Sequence, residues 1–245
     1  MKKTLLIATI FLTIGVAGLH AQAKWKYEFG LGGTYNSGNI SNVGFRTNGG
    51  VGVNDSVKAV FANIRFLYNE EKKVTTNMGL DGGIKFDYYR NIHWNPFLAA
   101  EFIVNHFKGY DFKSSFLLGM KYNFVYTPTY DYSISAALVG DYVDYYYEVP
   151  PVPKDTLSGV KMRVSVRGQI RHKIGESTTL YHATFYQPAV TDFSDFIFSS
   201  VTKISNKLRD NISLDFIFDY GYRSVVPEDK HRHDLATEVA LKITF

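Results

Sequence analysis

The residues of this chain that could support catalysis are its histidines and serines. An acyl-transfer enzyme needs a nucleophile held beside a base. His106 lies near Ser114 and Ser115, but no serine stands in a recognisable nucleophile motif. The histidines after the N-terminal segment are His93, His106, His172, His182, His231 and His233. Their positions at predicted strand ends and in loops favour solvated side chains over a catalytic base.

Two other short motifs contain residue types that bind metals or nucleotides in other proteins. His231-Arg232-His233 places an arginine between two ligands, which makes a poor metal site. The glycines of Gly30-x-Gly32-Gly33 have the wrong spacing for a dinucleotide fingerprint, and no helix is predicted after them. The sequence therefore predicts no metal, no cofactor and no enzymatic activity.

Charged residues at alternate positions form the largest candidate site. Lys161, Arg163, Arg167 and Arg171 share one face of a predicted strand and span roughly 33 Å at the rise of an extended chain. Carboxylates recur in the same way on other strands, where they could answer these cations. The predicted charge ladder comprises Arg46, Arg65, Asp81, Lys85, Glu101, Lys161, Arg163, Arg167, Arg171, Asp215, Asp219 and Glu238.

Alternation of apolar and polar residues predicts the elements that carry this ladder. From Trp25 to Tyr35 the odd positions are mostly aromatic or apolar and the even ones mostly polar or small, the period of a β-strand. The same reading gives about twelve strands. Ten are clearly patterned, Thr179 to Tyr186 has faces that cannot be assigned, and Phe193 to Ser205 is weakly patterned. Short turns alternate with longer loops along most of the chain.

The first 23 residues predict an exported protein. Lys2 and Lys3 precede an apolar run from Leu5 to Leu19, which is shorter than a bilayer span, and Ala21-Gln22-Ala23 resembles a cleavage site. Cleavage after Ala21 is the alternative. Residues 24–245 are then expected to form a single domain without disulfides, since the chain contains no cysteine.

Composition favours a membrane environment for this domain. The chain contains 19 Phe and 18 Tyr, more than a water-soluble core requires but suited to the aromatic girdles of a membrane barrel. The net charge of +4 falls to +2 without Lys2 and Lys3, too little to suggest nucleic acid. We therefore predict an all-β, antiparallel transmembrane barrel of about twelve strands in a bacterial outer membrane. A soluble lipocalin-like barrel or sandwich is the alternative.

The last strand carries the predicted assembly signal. Val239, Leu241, Ile243 and Phe245 share an apolar face, and the sequence ends on the aromatic residue. A closing strand of an outer-membrane barrel turns such a face to lipid. The expected partners are outer-membrane lipid, lipopolysaccharide and the barrel assembly machinery, with small anionic solutes in the lumen.

Four stretches carry a family resemblance: GLGGTYNSGN at 30–39, VTTNM at 74–78, FDYYR at 86–90 and FKSSFLLGMKYNF at 112–124. They make the segment from Phe29 to Phe124 similar to the salt-induced outer-membrane protein family, also called domain of unknown function 481. Family members carry Thr after the Gly-Asn pair, where this chain has Ile40. The resemblance implies an outer-membrane barrel and no established activity.

Three functions remain open at the level of the sequence. The first is a narrow passive channel, or a structural barrel whose lumen is filled by salt bridges. The others are an outer-membrane enzyme acting on lipid or lipopolysaccharide, and a barrel that binds partners through its outer loops. An excess of cations on the predicted inward faces favours mild anion selectivity if the lumen conducts.

Overall fold

The computed structural model describes residues 24–37, 42–54, 57–71, 74–88, 93–105, 110–145, 159–226 and 231–245. The predicted signal peptide, His106, the first connection and the proline-rich segment 150–153 lie outside these ranges. The strands are β1 (Lys24–Ser37), β2 (Asn42–Asn54), β3 (Lys58–Glu71), β4 (Val74–Tyr88), β5 (Trp94–Asn105), β6 (Tyr110–Tyr126), β7 (Tyr130–Tyr145), β8 (Gly159–Ile174), β9 (Thr178–Pro188), β10 (Phe196–Arg209), β11 (Ile212–Arg223) and β12 (His233–Thr244).

The twelve strands close into one antiparallel barrel, as predicted. Each strand pairs with its neighbours in sequence, and β1 closes the barrel by pairing with β12. Backbone hydrogen bonds between Tyr27 and Phe245, of 3.0 and 2.9 Å, extend this seam to the last residue. Strands of 11 to 17 residues are long enough to cross a bilayer at a tilt. No helix in the described ranges is long and apolar enough to cross one.

Alternation places apolar side chains on the convex face of the barrel. On β1, Trp25, Tyr27, Phe29 and Leu31 are about half exposed, whereas Thr34 is buried. The opposite face is the concave one, because Arg46 on β2 contacts Glu238 on β12 across the intervening strand β1. An apolar exterior around a polar interior is the arrangement of a barrel that faces lipid.

The described connections differ between the two ends of the barrel. At one end residues 127–129, 175–177 and 210–211 form short turns, and the first and last strands have their free ends there. At the other end residues 189–195 form a longer loop between β9 and β10. In outer-membrane barrels the short turns face the periplasm and the longer loops face outward.

The strand predicted from Phe193 to Ser205 is shifted toward the C-terminus. The observed strand β10 runs from Phe196 to Arg209. Asp192 delays its start, because the Asp192 carboxylate accepts hydrogen bonds from the backbone N–H and the hydroxyl of Ser194. This local turn occupies the backbone N–H of Ser194, which is then not available to pair with a neighbouring strand.

Pairing with β8 assigns the faces of β9, which the sequence left open. Tyr181 and Phe185 face inward, since they pair with Arg171 and Arg167. His182 therefore faces outward, where its ring nitrogens lie 2.9 and 3.0 Å from the hydroxyls of Thr202 and Thr184. The pattern is weak because β9 combines inward aromatic residues with outward polar ones.

Candidate functional site

The lumen wall is the candidate site, because the predicted charge ladder lies there. The structure places all twelve ladder residues on inward faces of their strands, in register with the pairings of the barrel. Several partners were absent from the predicted ladder. They are Glu28, Asp87, Asp131, Asp141 and Lys203 on inward faces, and Asp195 in the loop after β9.

Arg46 and Arg65 are each neutralised by a carboxylate on another strand of the lumen wall. Arg46 donates to Glu238 at 2.6 Å, and the two side chains are 11% and 5% exposed. Arg65 pairs with Asp81 across the β3–β4 ladder at 2.8 Å, with further bonds from Nε to both carboxylate oxygens. Bidentate geometry of this kind fixes both side chains against the wall.

Arg163 and Lys161 hold the loop between β9 and β10. Arg163 donates to the Asp195 carboxylate at 2.9 Å and to the backbone carbonyl oxygens of Asp195 and Gln187 at 3.0 and 3.1 Å. Asp141 lies 3.6 Å away on the other side, and Lys161 completes the cluster by pairing with Asp195. The Arg163 side chain is only 7% exposed, so it acts as an anchor for the loop.

The pKa of Asp195 reflects this cluster. Burial raises the pKa of the Asp195 carboxyl, but the hydrogen bonds and charges of Lys161 and Arg163 outweigh burial, so the net shift is downward. A lowered pKa keeps the carboxylate ionised. The loop is therefore tied to β8 at neutral pH.

Among the described residues, cations outnumber carboxylates from the middle of the lumen to the short-turn end, a part of the barrel that we call the inner half. Ion pairs there join Lys85 to Asp87 at 2.7 Å, Lys203 to Asp215 at 3.8 Å, and Arg171 to Asp131 at 3.9 Å. The inward cations of this half are Lys26, Lys85, Lys121, Arg167, Arg171, Lys173, Lys203, Lys207 and Lys242, against the inward carboxylates Glu28, Asp87, Asp131 and Asp215 and the turn residue Asp210, which pairs with Lys207. This part of the wall carries a positive potential.

Three of these cations have no carboxylate within ion-pair distance among the described residues: Arg167, Lys121 and, beside the short turns, Lys173. The Arg167 guanidinium instead lies 5.7 Å from the ring centroid of Phe185, a cation–π contact. The Lys121 residue is 9% exposed and pairs in the ladders with Asn95 and Ser135. Neither the Arg167 charge nor the Lys121 charge is compensated by a carboxylate of the described residues.

Solvent reaches the side chains at the middle of the lumen. The side chain of Arg65 is 41% exposed, and those of Lys85 and Lys203 are each 33% exposed, although all three face inward. A lumen packed solid with side chains would bury them as fully as Arg163. The interior therefore contains space that water can enter.

Four described histidines, His93, His172, His182 and His233, lie away from this wall. His93 Nδ1 lies 3.0 Å from the carbonyl oxygen of Asn123 at the short-turn end, and the His172 ring packs at an angle against Tyr130. His182 faces outward, and Tyr220 and Tyr222 pack against His233. Within the described ranges, no group of three His, Cys, Asp or Glu side chains could hold a metal ion.

Solved structures with similar folds are outer-membrane barrels. A NanC porin has a TM-score of 0.60 and 10% identity, covering 88% of this chain and 98% of the porin. A KdgM porin in complex with disordered oligogalacturonate has a TM-score of 0.51 and 8% identity, covering 88% and 99%. The translocator domain of the autotransporter NalP from Neisseria meningitidis has a TM-score of 0.50 and 9% identity, covering 100% and 96%. At these identities the likeness concerns the fold alone.

Sequence comparison identifies the family. A search of curated proteins finds no match. The model of a protein family of unknown function, DUF481, matches residues 29–245, which comprise all but the first residues of the barrel. This match extends the resemblance seen in the first half of the barrel to its closing strand. The chain is an outer-membrane β-barrel that belongs to the DUF481 family.

Proposed function

We propose that this barrel is a narrow, passive channel with a mild preference for anions, exported through the signal peptide at residues 1–23. Barrels of about eight strands are filled by side chains, whereas barrels of about 16 strands hold a water channel. Twelve strands lie between these cases. The exposure of Arg65, Lys85 and Lys203 at the middle of the lumen is the observation that carries the proposal, because it indicates space for water and ions.

The preference for anions rests on the excess of cations over carboxylates in the inner half of the lumen. Low-dielectric walls focus the field of lumen charges onto passing ions. Arg167 and Lys121 contribute most directly, since neither pairs with a carboxylate among the described residues. The porin KdgM, which shares the fold, was solved with oligogalacturonate, a polyanion. That precedent supports passage of an acidic solute through a barrel of this shape. No step of this proposal requires catalysis.

A conductance measurement on the refolded full chain tests this proposal. In a planar bilayer with a salt gradient, we expect discrete current steps and a reversal potential on the anion-selective side. Replacing Arg167 and Lys121 by Gln should reduce the selectivity. Arg163 is unsuitable for this purpose, because its replacement would also release the loop that it anchors.

Lys58 provides a matched control, since Lys58→Gln also removes one positive charge but lies on the outward face of β3 near the short turns. Its selectivity should equal that of the unmodified protein. Bilayers without current steps would indicate a structural barrel. A reversal potential on the cation-selective side would contradict the positive potential assigned to the inner half of the lumen.

A further inference from the structure

An aromatic ring lies exposed in this charged lumen. Phe61 faces inward on β3, pairs in the ladders with Gly52 and Lys85, and is 39% exposed. A Cβ atom on Gly50 would lie 2.9 Å from Cζ of Phe61, and one on Gly52 would lie 3.0 Å from Cδ2. The ring therefore lies across both glycines, close to the wall of β2. Its other side is open to the lumen.

The absence of side chains at Gly50 and Gly52 is what allows this position. An exposed aromatic surface in water is unfavourable by roughly 25 cal/mol per Å² of apolar area. The barrel does not cover the ring with a neighbouring apolar side chain, although the adjacent inward positions could carry one. An apolar platform that remains open inside a channel is suited to a passing solute.

Cations lie on the wall beyond this platform. Lys85 is the ladder partner of Phe61, and its Nζ lies over the ring of Phe97. A Cβ atom on Gly119 would lie 2.5 Å from Cζ of Phe97, and Lys121 follows two residues later on the same inward face of β6. Ser135 pairs with both Lys121 and Arg167 in the ladders. Only Lys85 of these three cations has a carboxylate partner within the described residues, namely Asp87. Ring and cations thus line connected parts of the lumen wall. Like charges on one wall repel one another, and an anion between them would relieve the repulsion.

Aromatic residues hold two of these cations. Phe185 stacks beneath Arg167 and limits the motion of its guanidinium. Lys85 lies 5.3 Å from the ring centroid of Phe97, which is 6% exposed. Preorganised donors lose less entropy on binding than flexible ones do. The two cationic groups are therefore held in place, while the open side of Phe61 remains for the ligand.

We propose that Phe61, Lys85, Lys121 and Arg167 form a binding site for carboxylates that carry a ring with an apolar face. The carboxylate would bind the ammonium and guanidinium groups, and the ring would stack on Phe61. Acidic sugars and aromatic acids both have this chemistry. The site deepens the proposed channel function, since it would select among the anions that enter.

Two measurements on refolded full-length protein test the site. Galacturonate oligomers, benzoate, acetate and neutral glucose are added to conducting channels, and their binding to the protein in detergent is measured by calorimetry. We expect a ring-bearing carboxylate to block the current and to bind roughly tenfold more tightly than acetate or glucose, the effect of one good ring contact. Tighter binding of galacturonate would indicate that the ligand is an acidic sugar, and tighter binding of benzoate would indicate an aromatic acid.

Phe61→Leu should abolish the preference for ring-bearing carboxylates. Gly50→Ala, which displaces the ring, should act in the same direction. Phe45→Leu is the matched control, because Phe45 lies on the outward face of β2 and is 43% exposed. Its binding should equal that of the unmodified protein.

Equal binding of acetate and benzoate, or an unchanged preference in Phe61→Leu, would overturn the site. These outcomes are separable from failure of the channel proposal. Calorimetric binding in a protein that gives no current would support the site and exclude the channel. Current without any preference for the ring would support the channel and exclude the site.

Discussion

Individual charged residues of the lumen have two different roles, although they look alike in sequence. Arg163 is buried and ties the β9–β10 loop to β8 through Asp195. Arg167, four residues further along the same face, makes no ion pair with a described carboxylate and stacks on Phe185. The first is a structural anchor and the second is free to act on solutes.

The Asp195 anchor predicts a pH dependence of the β9–β10 loop. Because the pKa of Asp195 is lowered in the folded protein, its stabilising effect is complete above the ordinary Asp pKa of about 3.9 and is lost as the pH falls through the lowered value. Asp195→Asn should remove the effect at every pH. We expect the backbone amides of residues 189–195 to exchange hydrogen several-fold faster in this variant at neutral pH.

Asp210→Asn is the control for this experiment, since Asp210 also accepts from a lysine, Lys207, but in the turn before β11. Exchange in the β9–β10 loop should not change in that variant. Unaltered loop exchange in Asp195→Asn would mean that the backbone bonds of Arg163 suffice to hold the loop.

Among the strands, β9 and β12 differ in how regularly apolar and polar side chains alternate. Alternation in β12 is complete, and Leu235, Val239 and Leu241 on its apolar face are about half exposed. In β9 the outward face carries His182 and Thr184, and Thr202 bonds to His182 from β10. Mutual hydrogen bonds lower the cost of placing these polar groups toward lipid. For a strand of this kind, only its pairing with neighbouring strands shows which face is inward.

The end of β12 should determine how efficiently the protein reaches the outer membrane. The Phe245 side chain is 71% exposed, and its backbone makes two hydrogen bonds with Tyr27 across the closing seam. Phe245→Ala keeps the backbone bonds, whereas deletion of Phe245 removes both. We expect both variants to lower outer-membrane levels, measured by fractionation and immunoblotting, with the deletion more severe.

Phe193→Ala provides the comparison, because Phe193 is 65% exposed in a loop rather than at the seam. Its level should equal that of the unmodified protein. Normal insertion of both Phe245 variants would show that the barrel assembly machinery does not depend on this residue.

For the whole molecule, closure separates a lipid-facing surface from a water-facing one. Phe216 and Ile217 are adjacent on β11 but lie on opposite surfaces, and Ile217 pairs with Glu238 in the lumen. Arg at the middle of the lipid-facing surface costs about 2 to 4 kcal/mol. Phe216→Arg should therefore destabilise the protein in lipid vesicles, lowering its free energy of unfolding by about this amount as measured by urea titration.

Ile217→Arg should cost much less, because the new guanidinium would meet water and the Glu238 carboxylate. The pair of variants differs only in the surface that receives the arginine. Equal losses would indicate that the two surfaces are exchanged or that the protein folds outside lipid.

The sequence by itself determined the strand count, the all-β class and the faces of most strands. These properties are local, since alternation has a period of two residues and needs no knowledge of the partner strand. Composition and the N-terminal segment also predicted the outer-membrane environment, and the family resemblance agreed with that prediction. Alternation also separated Arg46, Arg65 and Glu238 from their apolar neighbours before any pairing was known.

Only the tertiary structure decided which of these residues meet. Arg46 and Glu238 are 192 positions apart, and their contact exists because closure brings β2 and β12 to either side of β1. The position of Phe61 over Gly50 and Gly52 likewise depends on the register between β2 and β3. Register and closure are set by hydrogen bonds along whole strands, so no local pattern contains them.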